Sequence, residues 1–123
     1  MIHDRGMKTL ITGDITEEGE AALIEVYGGT GKLKCHILKI PHHGSRFSSS
    51  LDFLRETDPR VAVISVGKRH NYGHPSPEVI EKIQDLGIIV YRTDEDGAIG
   101  VIREKEGFFL CTQCTGKMDY YSE

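Results

Sequence analysis

The run Val61-Ala62-Val63-Ile64-Ser65-Val66 is mostly β-branched and apolar on both faces, without the alternation of polar and apolar side chains that marks a half-wet strand. A strand that is apolar on both faces belongs inside a sheet covered on both sides, and in proteins with helices in between such sheets are largely parallel. The run therefore predicts a central strand covered by helices, and an α/β fold.

The flanking segments fit that architecture. Met7 to Thr12 is predicted as a strand ending at Gly13-Asp14. Thr16 then caps a helix whose first turn holds Glu17, Glu18 and Glu20, where acidic side chains complement the helix dipole. Ala22, Leu23 and Val26 recur at near-helical spacing, and Gly28-Gly29 stops the helix. His36 to Ile40 is a short strand ended by Pro41, and Ser48-Ser49-Ser50 caps a helix through Leu51, Phe53 and Leu54 that closes at Asp58-Pro59. Ser76-Pro77-Glu78 opens a further helix with Val79, Ile80, Ile83 and Leu86 as its buried stripe and Gly87 as its stop.

Ile88 to Arg92 is the next strand. Asp94-Glu95-Asp96-Gly97 turns the chain into Ala98 to Arg103, and Glu104 to Gly107 turns it again into Phe108 to Thr112. The expected fold is a mixed sheet with flanking helices and a C-terminal hairpin, one domain over 1–115 with a frayed tail at 116–123. Asp4-Arg5-Gly6 is a turn signal between the first strand and a preceding one of which Met1 to His3 remains, so a partner strand is expected to be missing.

The 123 residues, 38% of them hydrophobic, suffice for one compact domain with a modest core. No apolar run approaches the roughly 20 residues that cross a bilayer, and no leader pattern opens the chain, so this piece is expected to be soluble. A net charge of -4 provides no basic face of the kind that dedicated nucleic-acid-binding domains carry. Cys35, Cys111 and Cys114 form no disulfide framework, and Cys111-Thr112-Gln113-Cys114 lacks the extra ligands or following helix of a zinc or redox motif, so free or structural thiols are expected.

In an open α/β sheet, ligands sit beyond the carboxyl ends of the strands, where loops and helix N-termini meet. Asp14 follows the first complete strand; His42 and His43 follow the second; His70, Asn71, Tyr72 and His74 follow the third. A carboxylate with imidazoles suits zinc or manganese, and an Asp can bridge two such ions. Each residue taken alone has a plainer reading. Asp14 also suits a helix cap, a turn or the phosphoacceptor of a receiver-like domain, and His70 a solvated loop side chain. His3 and His36 carry no signal. Two imidazoles against Gly44 imply close backbone approach and a crowded site.

Leu10-Ile11-Thr12-Gly13-Asp14, Leu38-Lys39-Ile40-Pro41-His42-His43-Gly44-Ser45 and Asn71-Tyr72-Gly73-His74-Pro75, in this order, resemble the metallo-β-lactamase-like domain of ComEC-type competence proteins. Val61 to Gly67 and Tyr91 to Ile99 also fit, so the resemblance runs from about Lys8 to Ile99 and leaves out Cys111 to Glu123. It implies the C-terminal half of an αββα fold and, in the intact domain, a hydrolase with two divalent ions, zinc or manganese. On this resemblance Asp14 is the bridging ligand and His74 the last ligand histidine. His42 and His43 take the place of a histidine that protonates the leaving group or steadies the scissile phosphate, with the reverse allocation, His42 or His43 as ligand, kept open. Ser45 and Asn71 are candidates for contacting substrate.

The same resemblance brings out a departure. The family's main ligand cluster, His-x-His-x-Asp-His or its variant with aspartate, is absent from this sequence. The expected partners are therefore the missing N-terminal half of the domain and the membrane-channel portion of a parent protein, with DNA as substrate and self-association through the open edge strand as a further possibility. The resemblance implies a nuclease acting during DNA uptake, in a soluble domain of a bacterial cytoplasmic-membrane protein; the side of the membrane stays open, with the outer side favoured. By itself the chain is expected to be inactive. A non-catalytic or vestigial binding and assembly module, a phosphorylcholine esterase or a lactonase on the same scaffold are the alternatives.

Overall fold

The computed structural model describes residues 1–69 and 72–122. Strands β1 (Ile2–Asp4), β2 (Met7–Ile11), β3 (Ile37–Lys39), β4 (Val61–Ile64) and β5 (Ile89–Arg92) form one sheet in the order β1-β2-β3-β4-β5. β1 is antiparallel to β2, and β2 through β5 are parallel to one another, so the sheet is mixed. Helices α1 (Glu17–Tyr27), α2 (Leu51–Thr57) and α3 (Pro77–Asp85) connect the parallel strands, and α4 (Thr93–Asp96) is a single turn after β5. A second, antiparallel sheet holds β6 (Ile99–Glu104), β7 (Gly107–Thr112) and β8 (Met118–Ser122).

Alternation along the strands divides the core between two faces. Leu38, Ala62 and Ile64 point toward Phe53 and Leu54 of α2 and Val79 and Ile83 of α3. Ile37, Val61 and Tyr91 point the other way, onto Phe108 and Leu110 of β7 and Tyr121 of β8. The layers are thus helices, five-stranded sheet and three-stranded sheet. Val61 and Ala62 are both fully buried, as an apolar run on two covered faces requires.

Three expectations change. The apolar run is covered by helices on one face only; the second sheet covers the other. β4 also lies one place from the sheet edge, and β3 is the middle strand. Each αβ unit adds its strand beside the previous one, so an apolar run reports two covered faces and two neighbours but not its rank in the sheet. The tail expected to fray is strand β8. Tyr121 stacks on Phe108 at 5.3 Å between ring centroids, and its hydroxyl lies 2.8 Å from that of Tyr91, which also donates to Asp119 at 2.6 Å.

Cap chemistry is uneven. Ser50 Oγ accepts from Phe53 N–H at 3.3 Å, as its place before α2 suggests. Thr16 and Ser76 occupy the cap positions of α1 and α3 without a side-chain cap bond. At α1 a tertiary bond does that work: Glu17 N–H donates to the Phe47 carbonyl at 3.0 Å. Among the described residues no helix is long and apolar enough to cross a membrane.

Candidate functional site

The loops after β2, β3 and β4 leave the same edge of the parallel sheet and are tied to one another through their backbones. Gly13, with φ +67°, turns the chain after β2 and presents Asp14 to solvent. After β3, Pro41–Gly44 forms a tight turn in which His42, His43 and Gly44 take φ values of 48°, 54° and 81°. A non-glycine residue in this left-handed region costs on the order of 1–3 kcal/mol and persists only where surrounding bonds enforce it. Here His42 N–H donates to the Gly13 carbonyl at 3.1 Å, and Ser76 N–H donates to the Gly44 carbonyl at 2.8 Å. The crowding that the sequence implied around Gly44 has a specific source. A Cβ at that position would stand 2.6 Å from Pro75 Cβ.

The side chains meet in two pairs. His43 Nδ1 lies 2.6 Å from the Ser65 carbonyl, and because a carbonyl only accepts, Nδ1 carries the hydrogen. Its other nitrogen, Nε2, is then the lone pair of the neutral ring, and it lies 3.8 Å from Asp14 Oδ1. The His42 and His74 rings stand 5.9 Å apart, and Tyr72 stacks on His74 at 6.4 Å with 27° between planes. His42 Nδ1 is buried without a hydrogen-bond partner among the described residues, an exception that folded proteins rarely leave without a use. Thr93 fixes the loop after β4: its Oγ1 donates to the Val66 carbonyl at 2.7 Å and accepts from Val66 N–H at 2.8 Å.

The structure thus brings Asp14, His42, His43 and His74 to one edge. Ser45, at the end of the His42–Gly44 turn, is buried, its hydroxyl accepting from Phe47 N–H at 3.3 Å. Asn71 and His70 lie outside the described residues. The carboxylates that follow β5 serve the fold: Asp94 holds Arg92 in a two-pronged pair at 3.1 and 2.8 Å, and Asp96 accepts from Arg92 N–H at 2.9 Å. The hydrogen bond to Asp94 raises the Arg92 guanidinium above its ordinary range.

A catalytic zinc or a pair of divalent ions takes three or more protein ligands per ion. Among the described residues no group of three or more His, Cys, Asp or Glu side chains is placed to hold one ion, so the described residues by themselves do not complete such a centre. The cysteines do not help, since Cys35 is buried in the helix-side core and Cys111 and Cys114 lie in and beyond β7. Sequence reasoning named Tyr72 among the residues after the third strand but passed over Arg46 and Phe47. A pocket of about 460 Å³ opens beside His74, lined by Arg46, Phe47 and Tyr72 among others, with both aromatic rings turned to solvent. The only signal for it in the sequence is the pair of aromatic residues inside otherwise polar loops.

No protein-family model matches the chain. It is 38% identical over 94 residues to ComE operon protein 3 of Bacillus subtilis (strain 168), a match that covers 76% of this chain and 12% of that protein. Competence protein ComA of Neisseria gonorrhoeae is 40% identical over 94 residues, covering 76% of this chain and 13% of its own length. Recombination protein 2 of Haemophilus influenzae (strain ATCC 51907 / DSM 11121 / KW20 / Rd) is 29% identical over 101 residues, which is 82% of this chain and 12% of that protein. The chain therefore spans about an eighth of the length of these relatives. Together the three relatives point to the ComEC-type competence-protein family.

Proposed function

We propose that this chain is one part of a hydrolytic domain in a DNA-uptake protein, the C-terminal half of an αββα metallo-β-lactamase-type fold. The helix–sheet–sheet layering supports the fold. The observation that carries the chemistry is the convergence of a carboxylate and three imidazoles at one sheet edge, with His43 Nε2 at 3.8 Å from Asp14. In this reading the reaction is hydrolysis of a DNA phosphodiester, in a domain of a bacterial cytoplasmic-membrane protein that faces outward.

Asp14 and His74 are assigned to metal binding, with zinc or manganese as the ion, together with ligands from outside this segment. Because the described residues do not complete a metal centre, the steps assigned to this chain concern protons and position only. The Ser65 carbonyl holds His43 with its hydrogen on Nδ1, which leaves Nε2 to pass a proton to the departing oxygen once it has taken one from solvent. His42, in a backbone conformation that keeps its ring beside His74, steadies the phosphate. Ser45 and Asn71 are assigned to substrate contact, Ser45 through the loop that it braces.

A second reading draws on the open edge of the sheet. β1 is exposed along its length, its Ile2 included, and Ile11 at the end of β2 is exposed as well. An unpaired strand edge with apolar side chains is a template for another chain. In that reading the segment is a binding or assembly module, joined to the rest of the longer protein or to a second copy through β1.

One experiment separates the two. The longer protein should cleave linear DNA in the presence of manganese or zinc, and Asp14→Ala or His74→Ala should abolish cleavage, while the 123-residue chain alone should cleave no faster than background. Chelator-sensitive cleavage by this chain alone refutes the shared-site assignment. Full activity of the longer protein carrying His74→Ala moves the ligand role to His42 or His43, and full activity with Asp14→Ala favours the assembly module.

A further inference from the structure

Two aromatic rings beside the histidine edge are exposed where packing alone gives them no reason to be. Tyr72 is 85% exposed and Phe47 60% exposed, the two highest values among the chain's exposed aromatic side chains. Phe47 does not owe its exposure to a loose backbone. Its N–H donates to Ser45 Oγ and its carbonyl accepts from Glu17 N–H at 3.0 Å, so a fixed main chain holds the ring in water. Turning an apolar ring outward forgoes the stabilisation that burial would provide, on the order of 25 cal/mol per Å².

The two rings belong to one feature. Both line the pocket of about 460 Å³ that also contains Arg46 and His74. The Arg46 guanidinium carbon lies 4.9 Å from the centre of the Phe47 ring, and the Tyr72 ring stacks on His74. Lys68 and Arg69, on the loop leading from β4 toward Tyr72, are exposed as well. The chain is acidic overall, with a net charge of -4, yet these loops carry three cations, with Glu78 as the carboxylate lining the pocket. Exposed aromatic faces interleaved with Arg and Lys are what an unpaired nucleic-acid strand needs: bases stack on the rings while phosphates lie along the cations.

We infer that Phe47 and Tyr72 are stacking platforms, and Arg46 a phosphate-contacting cation, for single-stranded nucleic acid entering the histidine edge. This rests on the nucleic-acid reading proposed above and adds its strand preference and binding residues. A duplex offers its base faces only at its ends, so the arrangement favours single over double strands. A base on Tyr72 extends the His74–Tyr72 stack and leaves the adjoining phosphate near the pocket that His74 lines.

The test uses the 123-residue chain and fluorescein-labelled oligothymidine, with a duplex of equal length as comparison, in chelator so that no turnover intrudes. Anisotropy should report tighter binding to the single strand. Phe47→Leu and Tyr72→Leu, which keep apolar bulk but remove the ring, should each weaken binding roughly tenfold. Tyr72→Phe should bind as the parent does, and Arg46→Ala should weaken binding and flatten its salt dependence. Thermal melts of each variant check that the fold is intact.

Equal binding by the leucine variants, a preference for duplex, or no binding by the parent chain overturns the inference. Cleavage by the longer protein is scored separately. Loss of cleavage on His74→Ala with no effect of the leucine variants on binding discards the platforms and keeps the hydrolase. Strand binding that depends on the rings, with cleavage indifferent to Asp14 and His74, does the reverse.

Discussion

Glu20 of α1 is fully buried, and its two carboxyl oxygens accept from the backbone N–H of Ser49 at 2.5 Å and of Ser50 at 2.8 Å, across the start of α2. The Ser49 carbonyl is held from the opposite side by Lys82 Nζ of α3 at 2.9 Å. Ser49 itself sits at φ 60°, so both of its peptide groups are fixed while its backbone is strained. Three helices are thereby joined at the residue that ends the loop carrying His42, His43 and Phe47. Hydrogen bonds to a charged group contribute about 1.5–3 kcal/mol each, and a buried donor left unpaired costs a similar amount. Glu20→Ala should therefore destabilise the chain by about 3 kcal/mol, with Glu20→Gln intermediate because one of its two positions becomes a donor facing a donor. Urea unfolding measures both. A change below about 1 kcal/mol for the alanine variant would show that water replaces the clamp.

Gly44 has φ +81° and stands against Pro75, where an added Cβ would meet Cβ of that ring at 2.6 Å and its Cα at 3.1 Å. Gly44→Ala should cost about 2 kcal/mol or more, from backbone strain together with the clash. The displacement falls on the His74-Pro75 loop, so in the longer protein activity should fall by more than the stability loss explains. Gly13→Ala provides the comparison: its φ is +67° but nothing lies within 4 Å of the added Cβ. It should show the strain without the steric part.

Much of this arrangement is legible from residue order. Strands that alternate with capped helices force a parallel sheet, and a parallel sheet gathers the residues after each strand at one edge, which is how Asp14, His42 and His74 come together. What is not legible depends on partners distant in sequence. Glu20 reads as an ordinary acidic residue in a first helical turn, and nothing local distinguishes it from exposed Glu17 and Glu18. The strand at Met118–Ser122 has the same character. Its stability comes from the stacking of Tyr121 on Phe108 and from the hydroxyl bonds to Tyr91, whereas local propensity near a terminus suggests fraying. Likewise the second covered face of Val61 is apolar whether a helix or a sheet lies on it.

The cysteines differ in the environment that sets their reactivity. Burial pushes the Cys35 thiol up from 9.0 to about 12, while Cys114 is exposed. A raised pKa in the folded chain means that, between the two values, the folded state keeps a proton the unfolded state has lost. Its contribution to stability is thus complete below about pH 9 and disappears as pH rises from 9.0 toward 12. Stability should fall in that window by at most about 1.4 kcal/mol per pH unit from this group, and Cys35→Ala should flatten the slope. At pH 8, iodoacetamide followed by peptide mapping should find Cys114 modified first and Cys35 last. Early labelling of Cys35 would mean that the helix-side core opens locally.

The hydrogen bond from His43 to Ser65 makes a prediction about a single proton. A neutral imidazole carries its hydrogen on one nitrogen, and free histidine in water favours neither strongly enough to fix a mechanism. Here the 2.6 Å approach of Nδ1 to a backbone carbonyl selects the Nδ1–H form and leaves Nε2 facing Asp14. This orientation suits both roles considered for His43, since a ligand and a proton carrier each need Nε2 free and the ring held from behind. Long-range nitrogen NMR correlations at pH 8 should show Nδ1 protonated and Nε2 bare in the parent chain. Asp14→Asn should leave that tautomer unchanged, because the Ser65 carbonyl sets it. An Nε2–H tautomer in the parent, or a switch of tautomer on Asp14→Asn, would show that Asp14 orients the ring and that the backbone bond does not.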